Sequence, residues 1–91
     1  MEIKWTSKVL SDVARLYDFL AVKDKATAAR VVQSVTAAPQ RLLNQERIGE
    51  KLEEFDPREV RRIIIGRYEM RYEIQESKII VLRIWHTRED R

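Results

Sequence analysis

Cysteine is missing from this 91-residue chain, and histidine occurs once, at His86. Without thiolates there is no disulfide framework, and a single imidazole cannot assemble a zinc cluster, so neither a metal nor another cofactor is expected. Glycine and proline are scarce, two of each. That leaves little room for long flexible loops, and the glycine-rich phosphate loops of nucleotide-binding proteins are absent from the sequence. No stretch approaches the roughly 18 consecutive apolar residues that span a bilayer. The opening, Met1 to Trp5, carries an acid and lacks the apolar core of a secretory signal. A cytoplasmic protein without a membrane partner is the expectation, built as one domain over residues 1–91. Catalytic constellations are equally thin. His86 has no cysteine and no glycine-flanked serine to activate. Glu53 and Glu54 are neighbours and point apart on either kind of element, which suits charged surface better than acid–base work.

What the chain has in quantity is charge. Asp, Glu, Lys and Arg make up 36% of it, with 18 bases against 15 acids and a net charge of +3. The excess lies in residues 1–45, while residues 46–91 balance. Within that second half, Arg58, Arg61, Arg62, Arg67 and Arg71 face only Glu59 and Glu69 between positions 58 and 71. Arginine's planar fork suits carboxylate and phosphate alike, so the cluster reads either as cross-strand ion pairs or as a surface for an acidic partner. Trp5, Trp85, Tyr68 and Tyr72 sit in strand-like surroundings, where core packing is commoner than base stacking.

Hydrophobic spacing orders the chain. Ile3 and Trp5 alternate with Glu2 and Lys4, predicting a short strand that Thr6 or Ser7 stops. Val9, Leu10, Val13, Leu16, Tyr17 and Leu20 then recur at helical spacing behind that hydroxyl cap, with Asp12, Arg15 and Asp18 assigned to the wet side. Asp24 caps a second helix from about Lys25, marked by Ala28, Val31, Val32 and Val35. Pro39 is expected to kink or restart it, leaving 40–45 as a further helical piece. A short connection packs the two helices antiparallel. From Val60 the period drops to 2. Tyr68, Met70, Tyr72 and Ile74 fall on one face and Arg67, Glu69, Arg71 and Glu73 on the other, so one face is expected to be buried. Gly66 and residues 75–77 are the turns, and the apolar run Ile79 to Leu82 reads as a strand covered on both sides. The expected class is α+β: an N-terminal strand, two helices, and a three-stranded antiparallel meander with helices on one face.

That order resembles the RelE/ParE toxins of type II toxin–antitoxin systems over essentially the whole chain. It does so together with Gly49-Glu50-Lys51-Leu52-Glu53-Glu54-Phe55, Arg58-Glu59-Val60-Arg61-Arg62, Tyr68-Glu69-Met70-Arg71-Tyr72-Glu73-Ile74 and Val81-Leu82-Arg83-Ile84-Trp85-His86-Thr87-Arg88-Glu89-Asp90. The resemblance implies a growth-inhibiting toxin, of a kind that stabilises plasmids, held inert by an antitoxin whose C-terminal segment wraps it. Leu10, Val13 and Tyr17 are the candidate residues for that contact. RelE-like members cut messenger RNA in the ribosome, and ParE-like members poison DNA gyrase. On the nuclease pattern, Arg62 and Arg88 match basic positions, with His86 beside them, but Glu69 falls where a third-strand arginine belongs. An outward carboxylate there would repel a scissile phosphate by about 1 to 4 kcal/mol at about 4 Å. The ParE-like reading is therefore preferred, with Arg67, Arg71, Arg83 and Arg88 as contacts to gyrase or its DNA. The alternatives are a ribosome-dependent endonuclease using Arg62, Glu69, His86 and Arg88, and an inactive module that only binds antitoxin.

Overall fold

The computed structural model describes residues 1–88. Strand β1 (Glu2–Trp5) leads into helix α1 (Ser7–Ala21), then α2 (Lys25–Leu42), β2 (Glu50–Lys51), a 3-10 turn (Glu53–Phe55), β3 (Glu59–Ile65), β4 (Tyr68–Gln75) and β5 (Lys78–His86). The strands form one five-stranded mixed sheet in the order β1-β5-β4-β3-β2, with β1 parallel to β5 and the other pairs antiparallel. The sheet is thus larger than the expected meander. β1 joins its far side, and the two-residue β2 was not foreseen.

Both helix starts follow from side chains that take up free first-turn amides. Thr6 Oγ1 accepts from the Val9 amide at 3.2 Å, and Asp24 Oδ1 accepts from Ala26 and Thr27 at 3.0 and 3.4 Å. Pro39 does not end α2, which continues without interruption to Leu42. Its ring is buried, and the predicted separate piece over 40–45 does not form. Helical spacing placed α1 only approximately. Its inward stripe is Val9 and Asp12, which are buried, with Val13, Leu16 and Leu20 half-buried, whereas Leu10 and Tyr17 are exposed. Asp12, assigned to the wet side, is buried.

The main core joins Val9 of α1, Val35 and Ala38 of α2, and Met70, Val81 and Ile84 of the sheet, with Trp5, Ile63 and Tyr68 packed around it. A second cluster holds Leu42, Tyr72 and Ile79. The helices therefore cover the sheet face that carries Tyr68, Met70 and Tyr72. The opposite face is not the open polar surface that alternation suggests. Glu69 and Glu73, which share it, are also buried.

Candidate functional site

The register builds this second face. Arg62 on β3 stands opposite Arg71 on β4, and Arg71 stands opposite Arg83 on β5. Paired residues in an antiparallel ladder project to the same side, so three guanidiniums share one face on adjacent strands. Arg83 reaches that face because of a bulge. Arg71 pairs with Arg83 but Tyr72 pairs with Val81, leaving Leu82 as the extra residue. Without it Arg83 would fall on the core side with Val81.

The N-terminal part of α1 holds the bulge. The Thr6 hydroxyl donates to the carbonyls of Val81 and Leu82 at 3.0 and 3.1 Å. Asp12 accepts from the Ile84 amide at 3.0 Å and from the Arg83 guanidinium at 2.7 and 3.1 Å. One buried carboxylate thus satisfies a strand-edge donor that β1, ending at Val81 in the register, leaves uncovered, and it positions a cation.

Each arginine of the row meets a carboxylate. Arg62 bonds Glu50 at 2.8 Å and Glu69 at 3.3 Å, and Arg71 bonds the other Glu69 oxygen at 2.9 Å. Aromatic rings lie against two of them. Arg71 lies 5.9 Å from the Phe55 ring and 5.0 Å from the Trp85 ring, and Arg83 lies 4.9 Å from Trp85. Further along the same face the Arg58 fork grips Glu73 at 2.7 and 3.2 Å. That hydrogen bond is the main reason the Glu73 carboxyl lies below its ordinary value.

Glu69 overturns the phosphate-repulsion argument. Its side chain is 1% exposed and tied to two guanidiniums, so it does not present a bare charge outward. The argument from an outward carboxylate therefore no longer separates the two toxin classes. The four residues of the nuclease pattern are not assembled as one set either. Arg62 and Glu69 touch, but His86 stacks edge-on against Tyr68 at 5.4 Å on the helix-facing side. The imidazole accepts from the Arg88 amide at Nδ1, 3.0 Å away, which in the neutral ring places the proton on Nε2.

The proposed contact arginines divide into two groups. Arg71 and Arg83 lie over Trp85, while Arg67 and Arg88 flank a pocket of about 580 Å³ between α1 and the end of β5. Leu16, Phe19, Tyr68, Ile84 and Trp85 give that pocket its apolar floor. Glu89, Asp90 and Arg91, read from the sequence as part of a charged tail, lie outside the described residues. Of the antitoxin candidates, Leu10 and Tyr17 offer exposed surface and Val13 packs against the core. Sequence reasoning passed over Phe19, which is 73% exposed and lines the pocket. Its signal was a phenylalanine three residues from Leu16 on the same side of the helix. It also passed over Glu50, which joins the arginine face through strand pairing with Arg62 twelve residues on, and Phe55, which joins it through its ring contact with Arg71; neither contact leaves a local trace.

Among the described residues no group of three or more His, Asp or Glu side chains is placed to hold a metal ion, and no helix there is long and apolar enough to cross a membrane. No curated protein sequence matches the chain. Among solved structures, a chain described as "Chromosomal ParDE TA system from P. aeruginosa" superposes with a TM-score of 0.79. It is 24% identical, over 94% of this chain and 95% of that one, a likeness of fold. The family model described as the ParE toxin of type II toxin–antitoxin system, parDE, matches residues 3–91, which takes in both helices, the bulged strand and the arginine face. The chain therefore belongs to the ParE toxin family of type II toxin–antitoxin systems.

Proposed function

We propose that the chain is a cytoplasmic toxin domain that poisons DNA gyrase and is held inactive by a cognate antitoxin. The observation that carries the reading is membership of the ParE family over residues 3–91, since the ParE-like branch is the one expected to act on gyrase. The arrangement of charge supports it. Among the described residues, Arg62, Arg71 and Arg83 are engaged by Glu50, Glu69 and Asp12, and His86 faces the other side of the sheet, so the four residues of the nuclease pattern do not converge on one place for a scissile phosphate. Arg67 and Arg88, exposed at the mouth of the apolar pocket, are the proposed target contacts, with Arg71 and Arg83 next to them. Leu10 and Tyr17 are the proposed antitoxin contacts on α1.

The test is a supercoiling reaction with purified gyrase. Addition of the chain should accumulate cleaved DNA, and addition of antitoxin should suppress it. No cleavage at high molar excess overturns the reading. Replacing Arg67 and Arg88 together by alanine should raise the concentration needed by about tenfold, equivalent to about 1.4 kcal/mol of binding.

A further inference from the structure

Arg62, Arg71 and Arg83 form a row across three adjacent strands, at a strand spacing of about 4.8 Å. A row of that kind is suited to a chain of phosphates, because arginine forks bind phosphate bidentately and a basic groove tracks a nucleic-acid backbone. The row also has a framework apart from its counter-ions. The Arg71 guanidinium lies against the Phe55 and Trp85 rings, and that of Arg83 against Trp85. All three arginine side chains remain partly exposed, at 37%, 23% and 40%.

The carboxylates change what this face presents. Glu69 lies between Arg62 and Arg71 and bonds both, at 3.3 and 2.9 Å, and Asp12 takes Arg83 from the α1 side. Glu69 is buried, so drawing both guanidiniums away toward an incoming phosphate would strip a buried carboxylate of two of its partners, which is costly. Left in place, Glu69 already neutralises part of both forks, so a phosphate on this face gains less from them than from unpaired arginines. We propose that Glu69 is a specificity-determining residue: as an internal counter-ion it withholds the arginine row from phosphate and keeps single-stranded nucleic acid off this face. The proposal rests on the reading that the toxin recognises a protein target.

The experiment is fluorescence anisotropy with a labelled single-stranded RNA of about 20 nucleotides, titrated with the purified chain at several salt concentrations. Glu69→Gln keeps the volume and removes the charge. It should bind about tenfold more tightly than the unaltered chain, with a salt dependence steeper by about one to two released ions. Adding Arg71→Gln should return both values to those of the unaltered chain. A folded Glu69→Gln, with unchanged circular dichroism and a cooperative melt, that shows no gain overturns the proposal. So does a gain that survives Arg71→Gln.

If Glu69→Gln does not fold, Glu50→Gln decides. Its exposed carboxylate also meets Arg62, and with Glu69 still holding the row its removal should give no more than about a twofold gain in RNA affinity. A gain of about tenfold there would show that Glu50 rather than Glu69 withholds the row, and overturns the proposal. The gyrase reaction is read separately. A gain in RNA affinity alongside an inert gyrase assay removes the target and leaves the role of Glu69 standing, and the reverse pattern removes only that role.

Discussion

At the scale of single residues, the molecule depends on carboxylates that sequence pattern assigns to solvent. Asp12 is the clearest case. Its two oxygens take the Ile84 amide and the Arg83 fork, 71 and 72 residues away in the chain. Asp12→Ala removes the acceptor of a buried strand amide and one partner of the Arg83 guanidinium and should cost about 2 to 3 kcal/mol in denaturant unfolding, whereas Asp12→Asn, which still accepts from the amide, should cost less. Equal losses for the two variants would contradict this division of labour. Glu73 makes a pH prediction. Its carboxyl is lowered from 4.5, chiefly by the hydrogen bond from Arg58, and a depressed carboxyl contributes stability above its unfolded value that disappears as pH falls through the folded one. Unfolding midpoints should therefore fall on acidification from below about pH 5, and Glu73→Gln should flatten that acid limb. An unchanged limb in the variant would contradict the assignment.

Elements were legible where local chemistry determines them. Thr6 and Asp24 stand directly before runs of helical spacing, and both cap helices at the expected places. The alternation from Tyr68 to Ile74 marks a strand because the period of 2 is unbroken there. The bulge was not legible. Ile79, Ile80, Val81 and Leu82 are all apolar, so no change of parity shows in the sequence, and only the pairing with β4 reveals that Arg83 crosses to the outer face. β2 was hidden for a related reason: two residues carry no period, and their partners are Arg61 and Arg62. The burial of Glu69 was likewise out of reach, because alternation assigns a face but does not report what covers it. Two element-scale predictions follow from these contacts. Thr6→Val removes both the α1 cap and the donor to the bulge carbonyls, and should cost about 1 to 2 kcal/mol by denaturant titration. Thr6→Ser, which retains the hydroxyl, should recover most of that loss, and a Ser variant as weak as Val would contradict the role of the hydroxyl. A side chain at Gly49 would place its Cβ 2.6 Å from the Tyr72 hydroxyl and 2.7 Å from the Arg62 carbonyl. Gly49→Ala should therefore lose about 1 to 3 kcal/mol, and a variant as stable as the parent would contradict the tight approach.

For the molecule as a whole, the net charge is a modest +3, and the sheet's arginines are largely met by the chain's own acids. A protein that worked by embedding itself among RNA phosphates would gain from a strong, uncompensated excess of positive charge. This balance, together with ParE family membership, is the basis for preferring a topoisomerase over messenger RNA as the target. The most direct measurement is made in cells induced to express the chain without antitoxin, recovering gyrase covalently linked to DNA while mapping message ends by primer extension. The account predicts trapped gyrase at DNA breaks and intact messages. Codon-phased cuts in the messages with no trapped gyrase would contradict it.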